Sequence, residues 1–116
     1  MIDDSSAVRQ QIRNTLAGAG YDIVEAIDGL DGLEKLRTMT DIDLALCDVN
    51  MPRMTGLEMV LEVQREGLTT PILMLTTEGQ PSLIRRAREA GAVGWIVKPF
   101  DANQLVQAAR HLTSRA

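Results

Sequence analysis

The segment LALCDVNMPRMTG, residues 44–56, decides the fold, because four residues with apolar side chains run directly into Asp48. A short apolar run followed by turn-forming residues predicts a buried strand, and Pro52 and Gly56 supply the turn signals here. An aspartate at the buried end of a strand needs a partner or a chemical purpose, since burying a charge is costly. We therefore expect Asp48 to mark a site where a strand ends.

Four other short apolar runs resemble this one, and helical patterns lie between them. Such alternation is typical of repeated β/α units around a mainly parallel sheet, with right-handed crossovers that place helices on both faces. We predict one α/β domain over residues 1–116, with a flavodoxin-like five-stranded parallel sheet in the order 2-1-3-4-5 and five helices. The predicted strands are residues 1–2, 22–26, 44–48, 72–76 and 94–97.

The first predicted strand is unusually short, because only Met1 and Ile2 precede the acidic pair Asp3 and Asp4. Central strands of parallel sheets are normally longer apolar runs, since both of their faces are buried. We expect this strand to be truncated. Either the native polypeptide begins upstream of Met1, or another segment completes the sheet.

The composition argues against several classes of function. A formal net charge of -4 disfavours binding to nucleic acid or anionic membranes, which requires a surplus of Lys and Arg. Aromatic residues make up only 3% of the chain, which leaves little to stack against a flavin or against bases. No apolar stretch approaches the roughly 20 residues of a membrane span, and the N-terminus is acidic where a secretion signal would be basic. We expect a cytoplasmic protein without membrane insertion, in which the single Cys47 is a small buried hydrophobe.

Reactive side chains follow the predicted strands at the same end of each. Because the carboxyl ends of parallel strands share one edge of the sheet, we expect these side chains to lie close together. Three carboxylates in one pocket require a cation or a proton to offset their repulsion, and hard oxygen ligands favour Mg²⁺ with several retained waters. The backbone carbonyl of Asn50 is a further candidate ligand. The strand-end residues are Asp3 and Asp4, Asp48, Thr76 and Lys98.

A carboxylate such as Asp48 can attack a phosphoryl group to give an acyl phosphate. The product carries extra negative charge, which Mg²⁺ and the Lys98 ammonium would neutralise while the Thr76 hydroxyl donates to a phosphoryl oxygen. A simpler interpretation of Asp3 and Asp4 is that they place negative charge at the start of the first helix, where it is favourable. The pattern indicates phosphoryl chemistry at Asp48 and leaves the role of the acidic pair open.

Four motifs are jointly specific: DDS at residues 3–5, D-x-N-M-P-x-M-x-G at 48–56, LTTE at 75–78 and VKPF at 97–100. Together they resemble the receiver domain of two-component response regulators, most closely the free-standing CheY-like kind, for which the strand order given above is well known. The resemblance implies Mg²⁺-dependent phosphoryl transfer from a histidine kinase or a phosphotransfer protein to Asp48. It also implies a signalling phosphoacceptor that catalyses only its own phosphorylation and dephosphorylation.

The same resemblance implies roles for the residues around Asp48. Lys98 would bridge to the phosphoryl group, and its bond to Pro99 would be cis. Thr76 would follow the phosphoryl group, and Trp95 would be the aromatic switch, at a position where Tyr or Phe is more usual. The metal ligands would be Asp3 and Asp4, directly or through water, together with Asp48 and the backbone carbonyl of Asn50.

Two further sets of residues have implied roles. Asn50 and Glu78 flank the position where the family tunes the lifetime of its acyl phosphate. An output face made by the fourth helix, the fifth strand and the fifth helix would bind a downstream protein. Its basic residues are either a site for an acidic partner segment or an ordinary solvated surface. The predicted output-face residues are Arg85, Arg86, Arg88, Gln104 and Gln107.

Two alternatives with the same fold stay open: a receiver-like adaptor that is never phosphorylated, and a phosphate sink in a phosphorelay. Two other classes of protein fit the residues less well. An aspartyl-phosphate phosphatase needs a second acid two residues after the nucleophile as its general acid, and Asn50 stands there. A flavodoxin-type electron carrier needs a phosphate-binding loop after the first strand, where Asp3 and Asp4 would repel the phosphate.

Overall fold

The computed structural model describes residues 1–3, 5–39, 41–49, 54–76, 81–98 and 100–113. Within these ranges five helices alternate with three strands along the chain. The helices are α1 (Ser6–Gly18), α2 (Gly29–Thr38), α3 (Gly56–Arg65), α4 (Pro81–Glu89) and α5 (Ala102–Thr113). The strands are β1 (Ala45–Asp48), β2 (Ile72–Thr76) and β3 (Gly94–Val97).

The three strands form a parallel sheet in the order β1-β2-β3. Its register places Asp48 beside Leu75 and Thr76 beside Val97, so the carboxyl ends of the strands lie at one edge. The alternation of strands and helices seen in the sequence is therefore confirmed, together with the α/β class.

In the described residues the first two of the five predicted strands are reduced to single bridges. Ile2 makes isolated parallel bridges to Ala26 on one side and to Cys47 on the other. The Ile2 N–H donates to the Leu46 carbonyl at 2.7 Å, and the Ala26 N–H donates to the Met1 carbonyl at 2.9 Å. The truncation of the first strand was predicted. The second run, residues 22–26, makes its bridge at Ala26, and the Met1 nitrogen donates to the Val24 carbonyl at 2.8 Å.

These bridges nevertheless preserve the predicted strand order. Reading across the sheet, Ala26 is followed by Ile2, then by β1, β2 and β3, which is the flavodoxin-like order 2-1-3-4-5. A cavity of about 330 Å³ lies beside the bridges, and Met1, Val24 and Leu44 are among the residues that line it.

Two hydrophobic clusters cover the two faces of the sheet. Met74 of β2 packs into one cluster with Leu33 of α2 and Met59 of α3. The next residue, Leu75, points into the other cluster, which includes Leu105 of α5. Successive strand residues enter opposite clusters because side chains alternate across a strand. The helices thus lie on both faces of the sheet, as predicted.

Local signals in the sequence explain why α3 begins where it does. The Thr55 side chain accepts a hydrogen bond from the Glu58 N–H at 3.2 Å, and the Glu58 carboxylate accepts one from the Thr55 N–H at 3.0 Å. This reciprocal capping box satisfies two backbone donors that a helix start would leave unpaired. It fixes the start of α3 directly after the loop that follows Asp48.

Candidate functional site

The structure brings three of the predicted strand-end side chains into one pocket at the carboxyl edge of the sheet. The Lys98 ammonium nitrogen lies 3.0 Å from Oδ2 of Asp3 and 3.2 Å from Oδ1 of Asp48. Asp3 is 1% exposed and directly follows Ile2, the residue that bridges to β1. One cation therefore joins two carboxylates that reach the pocket from different parts of the chain.

Thr76 lies at the end of β2 beside this pocket and is 2% exposed. Its carbonyl accepts a hydrogen bond from the Lys98 N–H at 2.7 Å, which ties the end of β2 to the residue after β3. The backbone thus holds the threonine and the lysine at neighbouring strand ends. The sequence predicted this arrangement, because the carboxyl ends of parallel strands share one edge of the sheet.

The electrostatics of Lys98 suit a charge-neutralising role. Burial alone would lower the pKa of its ammonium group, but hydrogen bonding and attraction from Asp3 and Asp48 outweigh burial and raise this pKa above its usual value. Lys98 is therefore a cation throughout the physiological pH range. It supplies one positive charge to a pocket that holds two carboxylates.

Asp3 is fixed by hydrogen bonds to each of its polar groups. Its Oδ1 accepts from the Ser5 N–H at 2.9 Å, and its own N–H donates to the Ala26 carbonyl at 3.1 Å. Ser5 is the N-cap of α1, and its side chain accepts from the Val8 N–H. The capping of α1 therefore belongs to Ser5, which leaves the Asp3 carboxylate turned toward Lys98.

Gly56 explains why the motif around Asp48 ends in glycine. A Cβ atom at this position would lie 2.2 Å from the Asp48 carbonyl oxygen, a distance at which the backbone would have to shift. The Gly56 N–H also donates to the Val49 carbonyl at 2.9 Å. In the sequence, Gly56 is recognisable only as a turn signal. Its close approach to the Asp48 carbonyl exists only in the folded chain, so no local pattern in the sequence predicts it.

Four predicted site residues lie outside the described residues: Asp4, Asn50, Glu78 and Pro99. Their assigned roles stay predictions. In the part of the chain that the structure describes, no group of three or more potential metal-ligating side chains occurs. Of the predicted metal ligands, Asp3 and Asp48 are the two that lie among the described residues.

The predicted switch and output residues belong to β3 and to the helices α4 and α5. Trp95 is half-buried and packs against the cluster that contains Met74. The guanidinium of Arg88 lies 4.9 Å from the centroid of the Trp95 ring, which is a cation–π distance. The predicted output-face residues are exposed: Arg85, Arg86, Arg88, Gln104 and Gln107.

Comparison with known proteins identifies the family. A family model described as the response regulator receiver domain matches residues 1–110. The chain is a response regulator receiver domain. Among relatives of this receiver domain, the chemotaxis protein CheY1 of Helicobacter pylori is 42% identical over 103 residues, which cover 86% of this chain and 83% of that protein. The CheY homolog of Campylobacter jejuni is 41% identical over 103 residues, which cover 86% of this chain and 79% of that protein.

Solved structures agree with this family and with its fold. The receiver domain matches chemotaxis protein CheY4 of Vibrio cholerae with a TM-score of 0.89 and 41% identity, over 96% of this chain and 93% of that one. A putative response regulator from Chloroflexus aurantiacus matches with a TM-score of 0.90 and 33% identity, over 98% and 94% of the two chains. The CheY-like fold and the predicted family are confirmed.

Membership in the family fixes the general setting of this receiver domain. Receivers of this kind are signalling proteins of two-component systems that act with histidine kinases and downstream targets, and they generally bind Mg²⁺. Among the described helices, none is both long and apolar enough to cross a bilayer.

Proposed function

We propose that this receiver domain accepts a phosphoryl group on Asp48 from a histidine kinase or a phosphotransfer protein, in a reaction that depends on Mg²⁺. The observation that carries the proposal is the Lys98 ammonium, which contacts both Asp3 and Asp48 at the carboxyl edge of the sheet. We place this chemistry in the cytoplasm and treat residues 1–116 as one receiver domain whose output is a contact with another protein.

In the proposed reaction, a carboxylate oxygen of Asp48 forms a bond to phosphorus as the bond from phosphorus to the donor breaks. The donor leaves with the electron pair of that bond, and Asp48 becomes an acyl phosphate. Because the product carries more negative charge than the carboxylate, a fixed cation lowers the barrier. Lys98 supplies that cation, and the Thr76 hydroxyl donates to a phosphoryl oxygen.

The donor set fits Mg²⁺. Asp3 and Asp48 present hard carboxylate oxygens, and one ammonium neutralises only one of their two charges, which leaves a pocket favourable to a divalent cation. Asp4 and the carbonyl of Asn50 complete the proposed ligands. When bound, the metal supplies charge neutralisation and orientation for the phosphoryl oxygens.

Signalling in this proposal passes from the pocket to the output face. Thr76 moves toward the phosphoryl group, and Trp95 turns inward and alters the surface made by α4, β3 and α5, which carries the exposed arginines and glutamines. This is a local change in charge that biases a two-state element. The same proposal assigns Asn50 and Glu78 to the lifetime of the acyl phosphate.

Metal dependence tests the phosphoryl transfer. Incubation with acetyl phosphate and Mg²⁺ is expected to raise the intact mass by one phosphoryl group, and the same incubation with a chelator is expected to leave the mass unchanged. The reason is that the charge of the product then lacks its divalent counterion. An equal gain in the presence of the chelator would contradict the metal's part, and no gain under either condition would favour the unphosphorylated adaptor.

The Trp95 switch has its own test, because Trp95 is the single tryptophan of the chain. Beryllofluoride with Mg²⁺, a mimic of the acyl phosphate, is expected to change the fluorescence of Trp95 as the indole leaves the Arg88 guanidinium. Mg²⁺ alone serves as the control. Unchanged fluorescence under conditions where calorimetry shows that the mimic binds would contradict the switch and leave the phosphorylation proposal intact.

A further inference from the structure

We infer that Arg9 is a positioning residue for the acidic pocket, an inference that rests on the proposed function. Its Nη1 donates to the backbone carbonyl of Asp3 at 2.6 Å. The Arg9 side chain is 16% exposed although it belongs to a surface helix, α1. Arg9 therefore reaches back from the first turns of the helix to the residue that presents a carboxylate to Lys98.

Glu25 holds the other side of Arg9. The Arg9 Nε lies 3.4 Å from Oε1 of Glu25, and Arg13 pairs with Oε2 of the same carboxylate. The Lys35 ammonium donates to the backbone carbonyl of Glu25. Arg9 and Arg13 of α1 thus hold the Glu25 carboxylate, and Lys35 of α2 holds its backbone carbonyl.

Glu25 directly precedes Ala26, whose carbonyl accepts from the Asp3 N–H. Asp3 is consequently held at both of its backbone polar groups, through Ala26 at its N–H and through Arg9 at its carbonyl. That carbonyl belongs to Asp3 itself, so the Arg9 contact restrains the backbone from which this carboxylate reaches Lys98. Charge-assisted hydrogen bonds of this kind are stronger than neutral ones.

The Arg9 contact comes directly after the last ladder hydrogen bonds of this segment. The Ile2 carbonyl accepts from the Asp48 N–H at 2.9 Å, and the Asp3 N–H donates to the Ala26 carbonyl. The Arg9 guanidinium supplies a donor to the next carbonyl along the chain, that of Asp3.

Electrostatics alone would give Arg9 the opposite effect on metal binding. A cation near the pocket repels Mg²⁺, so deleting its charge would tighten binding if Arg9 acted only through space. Loss of a positioning contact would instead weaken binding, because the ligands would no longer be held in place. The direction of the change in Mg²⁺ affinity therefore distinguishes the two roles.

The experiment measures the Mg²⁺ dissociation constant of the full chain by calorimetry with the metal alone. Arg9→Met keeps much of the apolar stem and removes every donor, and we expect it to weaken Mg²⁺ binding about tenfold, as for other residues that orient metal ligands. Arg13→Met is the matched control. It breaks a pair with the same Glu25 from a side chain that is 49% exposed, and we expect its Mg²⁺ affinity to stay within about twofold of wild type.

Arg9→Lys restores a donor and the charge, so it is expected to recover part of the affinity that Arg9→Met loses. If Arg9→Met does not fold, Arg9→Lys provides the measurement instead. Circular dichroism shows whether Arg9→Lys is folded, and its Mg²⁺ affinity is expected to be below that of wild type. Wild-type or tighter Mg²⁺ binding in the folded Arg9 variants would overturn the inference and leave the proposed function standing. A wild-type chain that binds no Mg²⁺ would overturn both.

Discussion

Lys98→Met is expected to lower the free energy of unfolding in the absence of Mg²⁺ by about 2 kcal/mol, because it leaves Asp3 and Asp48 without their shared ammonium. Removal of one partner from a fully buried ion pair costs roughly 3 to 5 kcal/mol, and the loss here is smaller because the Lys98 side chain is 14% exposed. Chemical denaturation of the two proteins measures the difference.

The pH dependence of this contribution follows from the raised pKa of Lys98. A group whose pKa is higher in the folded state stabilises the fold fully below its unfolded pKa, which is roughly 10.4 for lysine, and loses that effect as pH rises through the folded value. The difference between wild type and Lys98→Met is therefore expected to be constant around neutral pH and to shrink in strongly alkaline solution.

Lys35→Met is the comparison, since Lys35 is the other lysine of the chain; it pairs with Asp31 at 3.3 Å near the surface and donates to the Glu25 carbonyl. Its expected loss of unfolding free energy is about 1 kcal/mol, because neither contact leaves a buried charge unpaired. Equal losses in the two variants would mean that the pocket does not depend on Lys98 as its bridging cation.

Lys98→Met is also expected to slow phosphorylation by acetyl phosphate about 100-fold, which is the usual effect of removing one group that stabilises developing charge. The time course of the mass gain measures this rate. A rate for Lys98→Met close to that of wild type would contradict the role of the ammonium in neutralising the phosphoryl oxygens, whatever its effect on stability.

The sequence predicted the bounds of those strands that have a neighbouring strand of similar length. Residues 72–76 and 94–97 are continuous apolar runs bounded by turn signals, and they form β2 and β3 with the predicted bounds. Residues 22–26 have a similar composition but make only one bridge. A strand needs a neighbour of matching length, and that requirement is not visible within the run itself.

The candidate site divides in the same way. Asp3, Asp48 and Lys98 could be brought together from sequence, because each follows a strand and parallel strands end at one edge. Gly56 and Arg9 could not be assigned in that way. Gly56 acts through the space beside the Asp48 carbonyl and Arg9 through a hydrogen bond to the Asp3 carbonyl, so both depend on backbone atoms brought close by folding.

The most direct test of the central claim is the intact mass of wild type and of Asp48→Asn after incubation with acetyl phosphate and Mg²⁺. The amide keeps the size of the carboxylate and removes its nucleophilic oxygen, so phosphorylation requires the wild-type residue. We predict a gain of one phosphoryl group in the wild type and none in Asp48→Asn. An equal gain in both proteins, or a gain in neither, would contradict the assignment of Asp48 as the phosphoacceptor.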